Sequence, residues 1–416
     1  MGSVTARARN LGVAPGSEPG VERQANIEFE VVRDLAGLHA LADDWRALAA
    51  RTKNVFGYFQ TYEWCERWLA VYGAEGGADS LPRAHVLTGR VDGDPVLIWP
   101  LVEDRASMGL TVLKTLGEPH GQYAGVLADP GPVGHAAIVA GWAHIRSGPG
   151  IDAIELTNIP HGSVLAEALS SDAGFASSGD SSAVLDLTHY ESWDAFFQSL
   201  SASCRKSRRR KRRKLEALGA LEFRVHSPDS PGFTEAVASA LDLKTVWLRE
   251  SGKASRALSM DNNAAFFSGL TDCPAGAGRV LVGELALDGR MIAGEIGFER
   301  NGHFISYLGA YDLALYAHSP GKVEMECMLE WCFENGIRCY DLLGNSDAYK
   351  EAWSNTDVPL FNHHVGLTVL GRARVELWLK RLRPALKQSI EALPREQRIR
   401  VLSALGTRLY ASGETP

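Results

Sequence analysis

The sequence repeats one run of predicted elements, and this repeat constrains the fold more than any other feature. An Asp-Gly pair lies between two apolar, strand-like runs at Asp92-Gly93 and again at Asp288-Gly289, and such a pair is a strong β-hairpin signal. After each hairpin the pattern predicts a strand, a helix and a second strand, at 112–116, 133–145 and 151–156 in the first copy and at 304–308, 322–335 and 337–343 in the second. The repeat therefore predicts a duplicated α/β fold of the mixed-sheet, α+β kind.

The length and composition fit a globular protein with two domains. A chain of 416 residues exceeds one ordinary core, and its 45% hydrophobic and 22% charged residues are typical of globular proteins. We expect a disordered leader at 1–26, domains at 27–190 and 220–370, a basic linking helix at 191–219 and a helical tail at 371–416. Since no apolar run resembles a membrane span or a signal peptide, we expect a cytoplasmic protein.

The cysteines argue against a metal site. The six cysteines lie apart, at 65, 204, 273, 327, 332 and 339, without a Cys-x-x-Cys pair or histidines at ligand spacing. We therefore predict buried thiols in a reducing compartment, and no bound metal.

A loop in the second copy is a candidate phosphate site. His318-Ser319-Pro320-Gly321-Lys322 joins a predicted strand to a predicted helix. The first N–H groups of a helix are unpaired, and the helix dipole favours an anion there. The alternative is an ordinary helix start with Pro320 in the first turn. The matching loop at 129–132 has no lysine, and its two prolines remove donors, so we expect the first copy to be a scaffold or an acceptor-side partner.

A basic segment lies between the copies. Nine of the ten residues in 205–214 are Lys or Arg, although the formal net charge of the chain is −7. Apolar residues at helical spacing predict one helix that starts at Ser192, runs through this segment and stops at Gly219. On it, Arg205, Arg209 and Arg213 share one face, with Arg208 and Arg212 in an adjacent row. Arginine binds phosphate bidentately, so we predict an anion site; the alternative is a solvated or nuclear-targeting patch.

Four further residues are candidates for chemistry. Glu295 lies in an otherwise apolar strand and must either reach water or pair with an arginine. Asp341 ends a strand, where α/β sheets place ligands, and is either a base or the cap of the next turn. Tyr349 and Lys350 follow in a segment that is either functional or a surface turn.

The order of these motifs resembles the CelD/BioF-type acetyltransferase-like domain of the GNAT superfamily. The matching residues are Phe197, Leu200-Ser201, Arg205, Arg209, Arg213, Leu215 and Gly219, then Tyr311-Asp312, Ser319-Pro320-Gly321, Gly336, Asp341-Leu342-Leu343-Gly344 and Tyr349-Lys350-Glu351-Ala352-Trp353. The chain is also similar to the FemAB peptidoglycan aminoacyltransferases, which contain tandem GNAT folds. The resemblance covers about Phe29 to Leu370 and implies two tandem GNAT-like domains, the first with a degenerate phosphate loop.

The resemblance also implies an activity. It implies an N-acyltransferase that uses acetyl-CoA or another acyl-CoA on an amine, such as an amino sugar or a nucleotide- or lipid-linked sugar, in exopolysaccharide or envelope biosynthesis. Residues 318–322 would bind the donor, and Glu295 would act as general base through water. Lys350 would steady the acyl carbonyl or an acceptor phosphate, with Tyr349 as hydroxyl donor. The usual GNAT loop is richer in glycine, which leaves acyl-CoA, acyl carrier protein and aminoacyl-tRNA open as donors.

Two other functions stay open at this point. One is an aminoacyl-tRNA-dependent, FemAB-like ligase in which the basic helix binds tRNA. The other is a non-catalytic regulatory module that senses a nucleotide or a membrane. The tail has two amphipathic stretches within 372–410, which could dock onto the protein or lie peripherally on the inner membrane face.

Overall fold

A single mixed sheet organises the molecule. The structure is a computed structural model, and it describes residues 26–73, 81–106, 109–253, 255–274, 277–344, 350, 352–394, 396–398 and 400–401. The strands are β1 (Glu28–Val32), β2 (Arg83–Val91), β3 (Asp94–Arg105), β4 (Thr111–Thr115), β5 (Leu127–Ala128), β6 (Ala153–Pro160), β7 (Phe175–Asp186), β8 (Leu221–His226), β9 (Arg279–Leu287), β10 (Arg290–Arg300), β11 (His303–Tyr311), β12 (Cys339–Gly344) and β13 (Thr356–Gly366).

Helices cover both faces of this sheet. They are α1 (Leu35–Ala40), α2 (Ala42–Arg51), α3 (Tyr62–Tyr72), α4 (Pro132–Ser147), α5 (Val164–Leu169), α6 (Trp193–Ser199), α7 (Ala202–Glu216), α8 (Phe233–Ser251), α9 (Asn263–Ser268) and α10 (Pro320–Glu334). A C-terminal helix follows, built from Val369–Ala373, a π-helical stretch at Arg374–Leu382, and Arg383–Glu391.

The strand order confirms the predicted duplication. The sheet runs β1-β2-β3-β4-β6-β13-β7-β12-β11-β10-β9-β8, with β5 paired to β3. Counted from either edge, the sheet has an edge strand, then the two strands of a hairpin, and then a strand antiparallel to the hairpin. The next strand runs parallel to that one. At the centre the halves exchange strands, because β13 pairs with β6 while β7 pairs with β12. The exchange explains why the halves form one sheet; the predicted domain boundaries stay predictions.

The two hairpins share their local geometry. Asp92 and Gly93 have φ of 51° and 89°, and Asp288 and Gly289 have φ of 50° and 78°, so both turns use the left-handed region that favours Gly and Asp. A register irregularity follows the turn in each copy, near Pro95 in β3 and between Met291 and Ala293 in β10. Such a bulge twists the strand at the same place in both copies.

The halves also share a hydrophobic core. Tyr58 and Phe59, from the first half, pack against Phe298 of β10, with the Tyr58 and Phe298 rings stacked at 4.5 Å. Arg300 is 1% exposed, and its guanidinium donates to the backbone oxygens of Ala49 and Asn54. Burial of these groups between the halves fixes their relative position.

The predicted single basic helix is wrong. The chain leaves the helical conformation at Leu200 (ψ of 150°), which separates α6 from α7. Ser192 caps α6, and Ser201 caps α7 by accepting from the Cys204 N–H. A serine at an N-cap competes well with helix continuation, and this signal was present in the sequence. The helix also ends at Glu216, before Gly219.

Other predictions differ in detail. The strands β7 and β8 were not predicted from the sequence. The leader lies outside the described residues, apart from Asn26 at its end.

The C-terminal helix docks onto the first half of the chain. Val375 and Leu379 are buried against Leu110 and Val112, and the Arg374 guanidinium donates to Glu155 at 2.6 Å. The predicted stretch at 375–390 therefore packs on the protein, while residues 402–410 of the second stretch lie outside the described residues. Among the described residues, no helix has the length and apolar character needed to cross a membrane.

Candidate active site

A cavity opens where two parallel strands diverge. β11 and β12 pair only at His303–Ile305 and Cys339–Asp341, and beyond these residues they separate. A cavity of about 690 Å³ fills the gap, a volume in the range of small-molecule sites. Its walls are formed by Lys244, Trp247, Glu295, Ser306, Gly309, Ala310, Tyr311, Tyr316, Ala317, Ser319, Gly321, Lys322, Glu324, Met325, Tyr340, Leu342 and Trp353.

The cavity is reached from both faces of the sheet. Helix α8 packs on one face, where Val237 and Ala240 join the core of Ile296 and Phe298. Helix α10 packs on the other face, where its residues join separate cores with Phe304 and Ile292. Because both helices line the cavity, two reactants could enter from opposite faces and meet between the strands.

The start of α10 forms one end of the cavity. Ser319 adopts the left-handed conformation, with φ of 57°, and no side chain caps the helix. A Cβ at Gly321 would lie 3.0 Å from Cδ1 of Tyr311, so glycine lets the loop approach β11. Ser319, Gly321 and Lys322 line the cavity, whereas His318 and Pro320 do not. This end offers N–H groups and a lysine to an anion.

Helix α7 adds positive charge at the same end. Burial lowers the pKa of Lys211, and the nearby charges of Lys322 and Arg208 lower it further. The Arg208 guanidinium is 7% exposed and lies 3.6 Å from the ring centroid of Trp353, a residue of the cavity wall. Lys211, which was not predicted from the sequence, is thus near enough to Lys322 for the two charges to interact.

The other predicted arginines lie away from the cavity. Arg205 donates to the backbone oxygens of Gln198 and Leu200. Arg209 lies over the ring of Phe197 at 5.3 Å. Arg212 pairs with Glu216, one turn along the helix, at 3.2 Å, and Arg213 donates to a backbone oxygen of its own helix. Of the five predicted arginines, only Arg208 contacts the cavity wall.

Two buried carboxyl groups lie in the middle of the cavity. Burial raises the pKa of Glu295 to about 7, against the opposing effect of hydrogen bonds from Ser306 and Tyr340. The Tyr340 hydroxyl donates to Oε2 of Glu295 at 2.5 Å. Burial and the neighbouring Glu295 raise the pKa of Glu324 well above its usual range. Burial therefore favours the protonated form of Glu324, and Glu295 can exchange a proton near neutral pH.

Helix α8 places a lysine and a tryptophan in the cavity. Lys244 is 1% exposed, donates to the Gly309 oxygen at 3.1 Å, and lies 4.4 Å from the ring centroid of Trp247. Burial lowers the pKa of Lys244 well below its usual range. Glu324 and Lys244 each interrupt an apolar helical face, with Val237, Ala240 and Leu241 before Lys244. That interruption was the sequence signal for both residues, and the reasoning missed it.

Asp341 lies behind the cavity and is fully hydrogen-bonded. It accepts from Tyr123 at 2.8 Å, Ser182 at 2.5 Å, His303 at 2.9 Å and the Leu343 N–H at 2.8 Å. Burial opposes ionisation, but these donors outweigh it and lower the pKa of Asp341. Burial alone would lower the pKa of His303, but the hydrogen bond to Asp341 and its charge outweigh burial and raise this pKa to about 9. The arrangement suits a structural ion pair between His303 and Asp341, with hydrogen bonds to Tyr123 and Ser182 of the first half, rather than a base.

Lys350 also lies outside the cavity wall. Its ammonium donates to the Gly344 oxygen at 2.7 Å and is 1% exposed. The predicted role of Tyr349 falls on a residue outside those that the structure describes. Within the described ranges, no three His, Cys, Asp or Glu side chains converge as metal ligands would.

The equivalent position in the first half is filled. The bulges and turns align Trp99 with Glu295, and Leu87 with Gly283, since each pair occupies the same place in its hairpin. Leu87 and Trp99 are both buried in a core with Trp142 of α4. Large side chains therefore occupy the space that small residues and carboxyl groups leave open in the second half.

A comparison with protein families finds a match over the part of the chain that forms the cavity. A family model described as an acetyltransferase (GNAT) domain matches residues 202–351, from the start of α7 to just beyond Lys350. No curated protein sequence matches the chain at a significant level.

Solved structures share the fold of the chain. FemX is 12% identical over 80% of this chain and 98% of its own, with a TM-score of 0.54. The C-terminal domain of a protein assigned as a lysylphosphatidylglycerol synthetase from Agrobacterium fabrum is 13% identical over 82% of this chain and 95% of its own, with a TM-score of 0.53. A conserved protein of unknown function from Bacteroides thetaiotaomicron is 11% identical over 81% of this chain and 99% of its own, with a TM-score of 0.50. The chain therefore shares the fold of these proteins, and together with the match of residues 202–351 to a GNAT domain this confirms the predicted GNAT-type, FemAB-like fold.

Proposed function

We propose that this chain is an N-acyltransferase that transfers an acyl group from acyl-CoA, such as acetyl-CoA, to an amine of a small molecule such as an amino sugar. The observation that carries the proposal is one continuous cavity that joins the start of α10 to Glu295 through the gap between β11 and β12. A donor with a diphosphate at one end suits this cavity, because its anionic end would meet the helix N-terminus.

The donor's phosphates would lie at the start of α10. The Gly321 N–H, at a helix start that no side chain caps, and the ammonium of Lys322 would bind them. Lys211 adds a second cation from α7. The acyl-bearing arm would run along Gly309, Ala310 and Tyr311, where β11 no longer pairs with β12.

Glu295 is the proposed general base. An attacking amine must be uncharged, and acyl transfer releases one proton from its nitrogen as the new C–N bond forms and the C–S bond breaks; the coenzyme leaves as a thiolate, which takes up a proton to give the free thiol. Glu295, with a pKa of about 7, can take this proton directly or through water near neutral pH. The Tyr340 hydroxyl holds the carboxylate in position at 2.5 Å. Asp341 has no part in this proposal.

Binding of the donor tests the proposal. Isothermal titration calorimetry should show that acetyl-CoA binds the full chain, and that Lys322→Gln weakens binding by about 10- to 100-fold, the value of one charge-assisted hydrogen bond. Lys214→Gln, at the exposed far end of α7, is the matched control and should bind as the wild type does. Absence of acetyl-CoA binding, or equal binding by the Lys322 variant, would count against the proposal.

An aminoacyl-tRNA donor is the second candidate. The observation that favours it is the exposed side of α7, where Lys206, Arg209, Arg210 and Arg213 face solvent. A tRNA bound there would lose affinity steeply as salt rises. Binding of tRNA with such a salt dependence, together with indifference to acetyl-CoA, would favour this donor over acyl-CoA.

A further inference from the structure

The two ends of the cavity carry positive charge from different helices. At the α10 end the cations are Lys322 and Lys211, which the proposed function assigns to the donor. The other face of the sheet contributes α8, with Lys244 and Trp247 in the cavity wall. The donor phosphates would pair only with Lys322 and Lys211. The cations around α8 could therefore bind a second anion.

The aromatic ring of Trp247 lies near two lysine side chains. The Lys244 ammonium lies 4.4 Å from the ring centroid, and the Lys253 ammonium, just beyond the end of α8, lies 5.4 Å from it. Lys253 is exposed, whereas Lys244 is buried. A ligand in the cavity would therefore meet the flat ring of Trp247 next to the Lys244 ammonium, while Lys253 lies near the same ring outside the cavity wall.

The ammonium of the buried Lys244 contacts the Gly309 oxygen and the Trp247 ring, and within the described part of the chain it forms no ion pair. Burial lowers its pKa, and the nearby charges of Lys253 and Lys350 lower it further. The contact with the Gly309 oxygen uses one of the three donors of an ammonium group. An anion held against Lys244 would accept from the remaining donors and offset the repulsion between the lysines.

We propose that α8 forms the acceptor subsite, and that the amine acceptor carries an oxyanion, a carboxylate or a phosphate, which binds Lys244 and Lys253 while its ring packs on Trp247. This inference rests on the proposed function, since it names the acceptor class of that same cavity. The amine would then point towards Glu295, which lines the same cavity.

Calorimetry with three amines on the full chain tests the subsite. Glucosamine is the neutral probe, glucosamine 6-phosphate carries a phosphate, and muramic acid carries a carboxylate. At least one anionic probe should bind about tenfold more tightly than glucosamine, as expected for one new charge-assisted contact. The probe that gains more identifies which oxyanion the subsite takes.

Variants assign the effect to α8. Lys253→Gln, at an exposed position that folding tolerates, should remove most of the preference for the anionic probe. Lys244→Met should do the same. Arg249→Gln, an exposed cation on the same helix that pairs with Glu250, is the control and should keep the preference. Equal binding of glucosamine and both anionic probes, binding of none of them, or a preference that survives in Lys253→Gln would overturn the inference.

Donor binding separates the two proposals. If acetyl-CoA binds and the anion preference fails, the acceptor inference alone is wrong. If acetyl-CoA does not bind, the proposed function is wrong and the inference falls with it.

Discussion

Replacing Glu295 with glutamine should stabilise the folded protein at alkaline pH, although it removes the proposed base. The carboxyl group is buried in the cavity beside Glu324 and accepts from Tyr340. Glutamine keeps the shape and can still accept this hydrogen bond, but it never carries a charge. A functional site that is costly for stability is a common compromise in enzymes.

The magnitude follows from the pKa of Glu295, which is raised from 4.5 to about 7. Between these two values the folded state binds more protons than the unfolded state, so stability falls as pH rises. The contribution is fully present below pH 4.5 and is lost as pH passes the folded value. A difference of 2.5 pKa units corresponds to about 3 kcal/mol of unfolding free energy.

Urea unfolding at pH 5 and pH 8 measures this difference. The stability of Glu295→Gln relative to the wild type should increase by about 2 to 3 kcal/mol from pH 5 to pH 8. Glu299→Gln is the matched control, because Glu299 lies on the same strand but pairs with Arg279 at 2.9 Å. It should show no such increase. An unchanged difference between Glu295→Gln and the wild type at the two pH values would show that the pKa of Glu295 is not raised in the folded protein.

Three further predictions follow from the contacts around the sheet. Tyr340→Phe removes the hydrogen bond to the cavity carboxylate and should move the acidic limb of the rate profile up by about one pH unit or more, measured as kcat/KM against pH. Asp341→Asn should lower the unfolding free energy by about 3 to 5 kcal/mol in urea, because it leaves a buried charge unpaired. In the wild type, the stabilisation of His303, whose pKa is about 9, should be complete below pH 6.5 and fade towards pH 9, and the variant should lack this dependence. Leu379→Ala should destabilise by about 2 kcal/mol or more, whereas Leu377→Ala, 52% exposed, should stay within about 0.5 kcal/mol.

Much of the fold could be predicted from local signals in the sequence. The two Asp-Gly turns and their flanking apolar runs predicted both hairpins, since a left-handed turn needs such residues. The predicted helix after Ser319 is α10, and it starts two residues earlier, at Pro320. Glu295 could be recognised as a candidate from the sequence, because burial of a carboxyl group in an apolar strand is costly unless a partner or water compensates for it.

The pairing of strands from different halves of the chain could not be predicted from the sequence. Nothing local in β7 or β13 specifies that each joins the other half, because strand exchange depends on which edges the folded halves leave open. The cavity residues from different elements, such as Lys244 and Glu324, were missed for a similar reason. Each looks like one polar residue on an apolar helix, and only the divergence of β11 and β12 shows that both face the same space.

The pH dependence of turnover tests the central claim most directly. With acetyl-CoA as donor and an excess of amine, release of free thiol should depend on the amine and rise by about tenfold from pH 6 to pH 8, since Glu295 must be ionised to accept the proton. In Glu295→Gln, the rate should fall by about 100-fold or more and lose this rise. Thiol release that ignores the amine, or that is as fast and as pH-dependent in the variant, would contradict the account.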